Sequence, residues 1–341
     1  MPLNPVHDST TDGSPPADVP RRVGRAADTL VAAIDEASQA SGGWSDLPLA
    51  YALIEAALGE CLMRLSATRL WGRDNQLPSV DFWKIAGPVL RPGWLQTRAR
   101  EKPLGYAGDY EMLARIIENR CCDGQPGAMF DQYFLSRSAP QAVHGRTQLV
   151  AASLVQHRLS RTPPYSVCSV GCGPGIDLQR GLARLPAEAV AQVQVRLVDL
   201  DDAGLAFARD RLTSILAPAA LETYRENLFR LGRRPESAAC IGQPDFLVCS
   251  GLFDYLEDDA AVELLRSFWQ RLAPGGRLLV GNFVPYHPTR AYMEWIGNWY
   301  LHYRTSAALT VLGDAAGIPA ACRQVGAERT GTDLFLQANK E

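Results

Sequence analysis

The chain has no excess of positive charge, no long apolar run and no paired-cysteine motif, and each absence removes a class of function. Its 341 residues carry 34 Lys and Arg against 37 Asp and Glu, a net charge of −3. Proteins that condense on phosphate backbones or anionic lipid need a basic field, so nucleic acid is not an expected partner. No apolar run approaches the roughly 18 residues needed to span a bilayer, so no membrane partner is expected either. Residues 1–22 hold no apolar segment of the signal-peptide kind, and a cytoplasmic location follows by default. The eight cysteines (61, 121, 122, 168, 172, 240, 249 and 322) include no CxxC pair and no Cys/His run at zinc-ligand spacing. Several sit in apolar stretches such as CSVGCG and FLVCSG, where cysteine acts as a small buried hydrophobe. The five histidines form no HExxH pattern and no serine sits in a GxSxG elbow, so neither metal catalysis nor a nucleophilic serine is expected. What remains is ordinary globular material: 47% hydrophobic, 21% charged and 8% aromatic residues. That is enough for a sizeable core, in a chain long enough for two units.

The organisation changes once along the chain. Residues 1–22 are rich in Pro, Asp, Ser and Thr and read as a disordered tail. Residues 23–161 are helical in pattern, with apolar positions at i, i+3, i+4 and i+7 in VGRAADTLVAAIDEASQA and LPLAYALIEAALGECLMRLSATRL. Further helices are predicted at 109–120 and 140–159. Turns are predicted at Gly87-Pro88, Arg91-Pro92-Gly93 and Gly124 to Gly127. After Pro163-Pro164, strand-like apolar runs alternate with helical ones to residue 341, which predicts a parallel sheet covered on both faces. The last stretch, CRQVGAERTGTDLFLQANK, predicts an antiparallel pair closing that sheet.

The sharpest local signal is Val170-Gly171-Cys172-Gly173-Pro174-Gly175, directly after one strand and opening a helix. Glycines there let the backbone turn tightly and approach a ligand, with helix N–H groups aimed at it. A dinucleotide fingerprint would place a third glycine where Ile176 stands, and Pro174 interrupts the loop. About twenty residues on, VRLVD ends a strand at Asp199, where a carboxylate can accept both hydroxyls of a ribose. Asp202 is a candidate N-cap for the following helix, and Glu257 to Asp259 suit the start of another. Together these elements predict an adenosine site.

In this order, VGCGPG, VDLDDAGLAFAR, the Asn227-Leu228 pair, DFLVCSGLFDYL and LAPGGRLLVGNF resemble the class I S-adenosylmethionine-dependent methyltransferases. The resemblance implies an α/β, Rossmann-like fold with a mostly parallel sheet and an antiparallel last strand. Here a helical N-terminal domain precedes it. It implies S-adenosyl-L-methionine as cofactor and a small-molecule substrate. Gly171, Cys172, Gly173 and Gly175 would lie under the methionine moiety. Asp199, with Leu200 beside it, would hold the ribose, and Asn227 and Leu228 would flank the adenine. Ser250 to Tyr255 would face the reacting centre.

The segments KPLGYAGDY (102–110), GLFDYL and MEWIGNWYLHYRT are similar to a bacterial subgroup with a helical N-terminal lid. That subgroup includes proteins assigned to hydroxy-fatty-acid methyl ester formation, and the likeness extends to enzymes that cyclise S-adenosylmethionine to azetidine-2-carboxylate. The likeness implies small-molecule (secondary) metabolism. Two outcomes therefore stand side by side: methyl transfer to a small acceptor, which leads, and cyclisation of the cofactor by its own α-amine. A non-catalytic cofactor-binding scaffold and a nucleotide-dependent dehydrogenase rank below them.

The remaining candidates each carry two readings. Loop 102–110 is either a turn with Asp109 as N-cap, or a lid whose Tyr106 and Asp109 contact the cofactor's ammonium or sulfonium; an aromatic face attracts such a cation. Arg146 is either a solvated helix residue or a bidentate partner for the cofactor carboxylate. Tyr292, Ile296, Trp299 and Tyr303 fall on one helical stripe, as core or as pocket wall. Tyr255 and Tyr303 complete the catalytic candidates.

Overall fold

The computed structural model describes residues 18–234 and 236–341. Of the expected tail, residues 1–17 lie outside the described residues. The tail assignment ends early, because helix α1 (Val19–Ala40) starts on Val19 and Val23, both buried, with Pro20 in its first turn.

Six more helices follow: α2 (Leu47–Ser66), α3 (Gln76–Leu90), α4 (Trp94–Glu101), α5 (Tyr110–Ile117), α6 (Gly127–Leu135) and α7 (Ser138–Leu159). The turn predicted at Gly87-Pro88 is helical instead, inside α3. Pro88 falls in the last turn, where its missing N–H costs a single helical bond. Buried apolar residues of α1 to α6 form one core, including Leu30, Ile54, Leu58, Phe82 and Phe130.

Segment 291–299 comes from the other half of the chain and completes that core. Its predicted helical stripe is only a π-turn at Tyr292–Ile296, followed by irregular chain. Trp295 is fully buried against Phe82, edge to face. Arg100 of α4 donates to the carbonyls of Trp295 and Ile296, both at 2.9 Å. Glu294, fully buried, accepts from the Gly72 N–H at 2.8 Å and from Arg290 at 2.7 Å. These bonds to neighbouring chain substitute for the ladder that a continuous helix would have supplied.

The second half contains β1 (Tyr165–Val170), α8 (Ile176–Leu182), α9 (Ala187–Val190), β2 (Val193–Asp199), α10 (Asp202–Thr213), β3 (Leu221–Arg225), β4 (Phe246–Cys249), α11 (Asp258–Arg271), β5 (Arg277–Phe283), α12 (Ser306–Ala315), β6 (Arg323–Ala327) and β7 (Asp333–Asn339). The strands lie in the order β3-β2-β1-β4-β5-β7-β6. β1 to β5 pair in parallel; β7 runs antiparallel to both β5 and β6. Every residue of β4 and five of the six in β1 are buried, as expected of strands covered on both faces. One face holds Phe253, Phe268 and Leu264 of the α11 side; the other holds Leu154, Leu178 and Leu212. Truncating a fully buried ring such as Phe246 to Ala costs about 3–5 kcal/mol in such a core.

Helix α7 joins the two halves: its Val143 belongs to the helical core and its Leu154 to the sheet core. The strand order reverses between β1 and β4, which opens a crevice at their carboxyl ends.

Candidate functional site

The turn after β1 reaches this crevice with Gly171, Gly173 and Gly175 at φ of +64°, +50° and +65°. Side chains rarely adopt that region, so the turn needs glycine on conformational grounds alone. Gly175 also packs closely: a Cβ there would stand 3.0 Å from that of Ala208 on α10. Cys172 is buried, and burial raises its thiol well above the ordinary range, so it offers no thiolate.

Asp199 closes the same end of the crevice. Its Oδ2 accepts the Gly173 N–H at 3.0 Å and its Oδ1 the Asp201 N–H at 3.2 Å. Burial raises the carboxyl pKa and these peptide donors lower it, with burial the larger effect. The N-cap of α10 is Asp201, accepting from the Ala203 N–H at 3.0 Å, rather than Asp202. Asp202 lies one position inside the helix and pairs with Arg225 instead.

Leu200, Leu228 and Phe229 stand beside Asp199 as an apolar wall. Asn227 is not on that wall. It caps the short 3-10 turn Leu228–Arg230, its Oδ1 accepting the Phe229 N–H at 3.1 Å. Leu228 and Phe229, not Asn227, line the cavity there.

Loop 102–109 covers the crevice from the helical half and converts it into a cavity of about 370 Å³. Tyr106 lines it. Burial, then the carboxylates of Asp199, Asp201 and Asp109, push the Tyr106 phenol up, so it stays a protonated donor. Asp109 serves the loop itself. Its carboxylate caps α5 through the Met112 N–H at 2.9 Å and accepts Arg98 Nε at 2.8 and 3.0 Å. It is 1% exposed and absent from the cavity wall, so the N-cap reading replaces the catalytic one.

Tyr255 holds the loop down. Its hydroxyl donates to the Ala107 carbonyl at 2.7 Å and accepts Trp299 Nε1 at 2.9 Å. Gly108 lies beneath this junction at φ +73°, and a Cβ there would come within 2.5 Å of the Trp299 ring. Both hydrogen-bonding roles of the Tyr255 phenol are used, so it acts as a clasp rather than as a proton carrier.

Tyr303 is elsewhere, in a second recess with Arg290, Glu257 and His302. The Arg290 guanidinium lies 4.6 Å from its ring centroid. Once the helical stripe is broken after Ile296, Tyr303 no longer shares a face with Trp299, and its catalytic assignment falls.

The deep wall is polar. Arg146 of α7 donates to the Ser250 carbonyl at 3.3 Å and approaches Asp333 at 3.5 Å. It is therefore a buried, paired residue, not a solvated one. Asp254 lines the cavity beside it, with Oδ1 accepting the Phe283 N–H at 2.8 Å and Asn282 Nδ2 at 3.1 Å. Burial pushes Asp254 up to about 7 against the opposing pull of the Phe283 N–H, Arg146 and Arg304. Asp333 is fully buried, and burial raises it well above the carboxylate range, outweighing Arg146 at 3.5 Å. Neither Asp254 nor Asp333 is singled out by the sequence. Asp254 enters only as part of the segment Ser250 to Tyr255, which the resemblance puts at the reacting centre.

Eleven of the fourteen candidate site residues thus converge on one cavity: Tyr106, Arg146, Gly171, Cys172, Gly173, Gly175, Asp199, Leu200, Leu228, Ser250 and Tyr255, the last as the clasp on the loop. Asp109, Asn227 and Tyr303 do not reach the wall.

No protein-family description and no curated protein matches the sequence. Solved structures do. A possible exported protein from Bordetella parapertussis is 19% identical, with 98% of this chain covering 99% of that one at a TM-score of 0.57. Magnesium protoporphyrin IX methyltransferase (ChlM) from Synechocystis PCC 6803, with bound SAH, is 16% identical over 72% of this chain and 100% of that one, at 0.46. A 1,6-didemethyltoxoflavin-N1-methyltransferase from Burkholderia thailandensis is 18% identical over 57% and 77%, at 0.40. The strand order and the antiparallel β7 are those of the Rossmann-like class I methyltransferase fold, here preceded by helices. No helix of the described residues is long and apolar enough to cross a membrane.

Proposed function

We propose that the cavity holds S-adenosylmethionine and that the protein uses it to methylate a small molecule. One observation carries the reading. The positive-φ glycine turn and the Asp199 carboxylate meet on one wall of a covered cavity at the strand-order reversal. When bound, the cofactor supplies a sulfonium whose attached carbons are electrophilic.

The residues fit such a group. A carboxylate has about four acceptor positions, and peptide N–H groups occupy two of those on Asp199, leaving two for vicinal hydroxyls. Leu200, Leu228 and Phe229 would take the flat base, and Arg146 would face the carboxylate of the amino-acid end. Tyr106 and Trp299 would offer aromatic faces to the sulfonium. Loop 102–109 excludes water, and the helical half serves as the cover that selects the reaction.

A second reading is cyclisation of the cofactor to azetidine-2-carboxylate and methylthioadenosine. The size of the cavity favours it: about 370 Å³ lies at the small end of ligand pockets, which run from about 300 to 1,000 Å³. Cyclisation needs no room for an acceptor.

Incubation with S-adenosylmethionine, followed by mass spectrometry of the small molecules, separates the two. S-adenosylhomocysteine formed only when a small-molecule extract is added supports methyl transfer. Methylthioadenosine together with a cyclic amino acid, formed from the cofactor alone, supports cyclisation and sinks methyl transfer as the main activity. Absence of binding sinks both.

A further inference from the structure

The deep wall of the cavity carries a carboxyl group that cofactor binding leaves without a task. Asp254 is 2% exposed and lines the cavity. Its Oδ1 is held by the Phe283 N–H and by Asn282 Nδ2. Asn282 is fixed in turn: its Nδ2 also donates to the His302 carbonyl at 2.9 Å, and its Oδ1 accepts Arg304 Nη1 at 2.7 Å. Among the described residues, Oδ2 of Asp254 accepts no hydrogen bond. Nor is it sealed off, unlike both oxygens of Asp333. One oxygen therefore orients the group, and the other is left for a ligand.

The charges around Asp254 are already committed. Arg146 is held by Ser250 and Asp333, and Arg304 by Asp258 and the carbonyls of Phe253 and Leu256. Asp333 faces it from β7, and Tyr255, Tyr303 and Cys249 lie within range of its charge as neutral groups. No cation is dedicated to Asp254. A buried carboxylate in that position is costly unless the ligand brings the opposite charge.

We propose that Asp254 receives an aliphatic ammonium group and accepts its proton, generating the neutral amine that becomes the nucleophile. The inference rests on the S-adenosylmethionine reading of the same cavity and names the class of nucleophile it serves. In the step, one N–H bond breaks and the proton passes to Asp254 Oδ2. The bonding pair stays on nitrogen as a lone pair, and the carboxylate becomes a neutral acid. The ammonium has two sources: a free small amine, or the α-ammonium of the cofactor itself. The first corresponds to methyl transfer and the second to cyclisation. A carboxyl titrating near neutrality, as burial makes this one, takes a proton from an ammonium more readily than an ordinary carboxylate does. An alcohol holds its proton far more tightly and is a poorer match.

Asp254→Asn keeps an oxygen for Phe283 and Asn282 but cannot take the proton; Asp254→Glu keeps the acid on a longer arm. Calorimetry on the intact chain uses S-adenosylhomocysteine and its deaminated analogue, then propylamine against propanol with S-adenosylhomocysteine saturating. If the cofactor supplies the amine, the wild type binds S-adenosylhomocysteine at least tenfold more tightly than the deaminated analogue. If a free amine is used, the wild type binds propylamine and not propanol. In either case Asp254→Asn abolishes the discrimination while still binding the adenosine end. Turnover of S-adenosylmethionine falls about 100-fold or more, losing the rise with pH centred near 7, and Asp254→Glu recovers part of both. Unchanged discrimination or a retained pH limb in Asp254→Asn overturns the proposal and leaves the cofactor reading standing. Failure of the wild type to bind S-adenosylhomocysteine overturns both.

Discussion

Trp299 Nε1 donates to the Tyr255 hydroxyl at 2.9 Å, and this contact joins the segment that completes the helical core to the segment that follows β4. The same hydroxyl donates to Ala107, so loop 102–109 is pinned by one phenol acting for both halves of the chain.

Tyr255→Phe removes both bonds and leaves the Trp299 N–H and the Ala107 carbonyl unpaired. Each orphaned group costs about 1–3 kcal/mol. The loop should loosen while the fold stays intact. Amide hydrogen exchange of residues 103–109 is expected to accelerate at least tenfold, with strands β1 and β4 unchanged.

Gly108→Ala and Gly105→Ala form a matched pair. Both positions have positive φ, +73° and +88°, but only at Gly108 does a Cβ meet a neighbour, the Trp299 ring at 2.5 Å. Gly105→Ala is expected to cost only backbone strain, about 1 kcal/mol. Gly108→Ala should also displace the loop and weaken S-adenosylhomocysteine binding at least tenfold more than its partner does, as titration calorimetry would show.

Arg146→Met deletes the cation facing Asp333. Breaking a buried pair from one side costs about 3–5 kcal/mol when the remaining charge has no escape. Asp333 has one, because its raised pKa lets it protonate. The loss of unfolding free energy, read by chemical denaturation, should therefore be larger at pH 8 than at pH 5.

Asp254→Asn has the opposite sign. The folded-state pKa of Asp254 is raised to about 7 from an ordinary 3.8, so its protonated form is the compatible one. The stability it contributes is fully present below about pH 4 and is lost as pH rises through 7. The variant should melt close to wild type at pH 4 and several degrees above it at pH 8, by calorimetry at the two pH values.

What was legible in the sequence shares a physical origin. The β1 turn and Asp199 could be read because backbone geometry demands glycine at set positions, and because a strand end places one side chain predictably. The sheet could be read because strands covered on both faces are continuously apolar. The role of Asp254 could not be read: the resemblance puts Ser250 to Tyr255 at the reacting centre, but a single acid between Phe253 and Tyr255 looks like any loop residue. Its meaning comes from Asn282, Phe283 and Arg304, which meet it only after β4 and β5 pair. Asp333 is equally silent, and the ion pair it makes with Arg146 could not be foreseen, the two being far apart in the chain until β7 inserts beside β5. The stripe of Tyr292, Ile296, Trp299 and Tyr303 misled because apolar spacing cannot show that Arg100 and Glu294 hold the chain in a single π-turn. Asn227 and Asp109 are small acceptors at helix starts, where capping competes with ligand binding, and capping prevailed.

Binding of S-adenosylhomocysteine to the wild type and to Asp199→Ala, by titration calorimetry, tests the cavity assignment most directly. Saturable one-to-one binding to the wild type, weakened more than tenfold in a folded Asp199→Ala, is the predicted result. Absence of binding, or equal affinity in the two proteins, would contradict it.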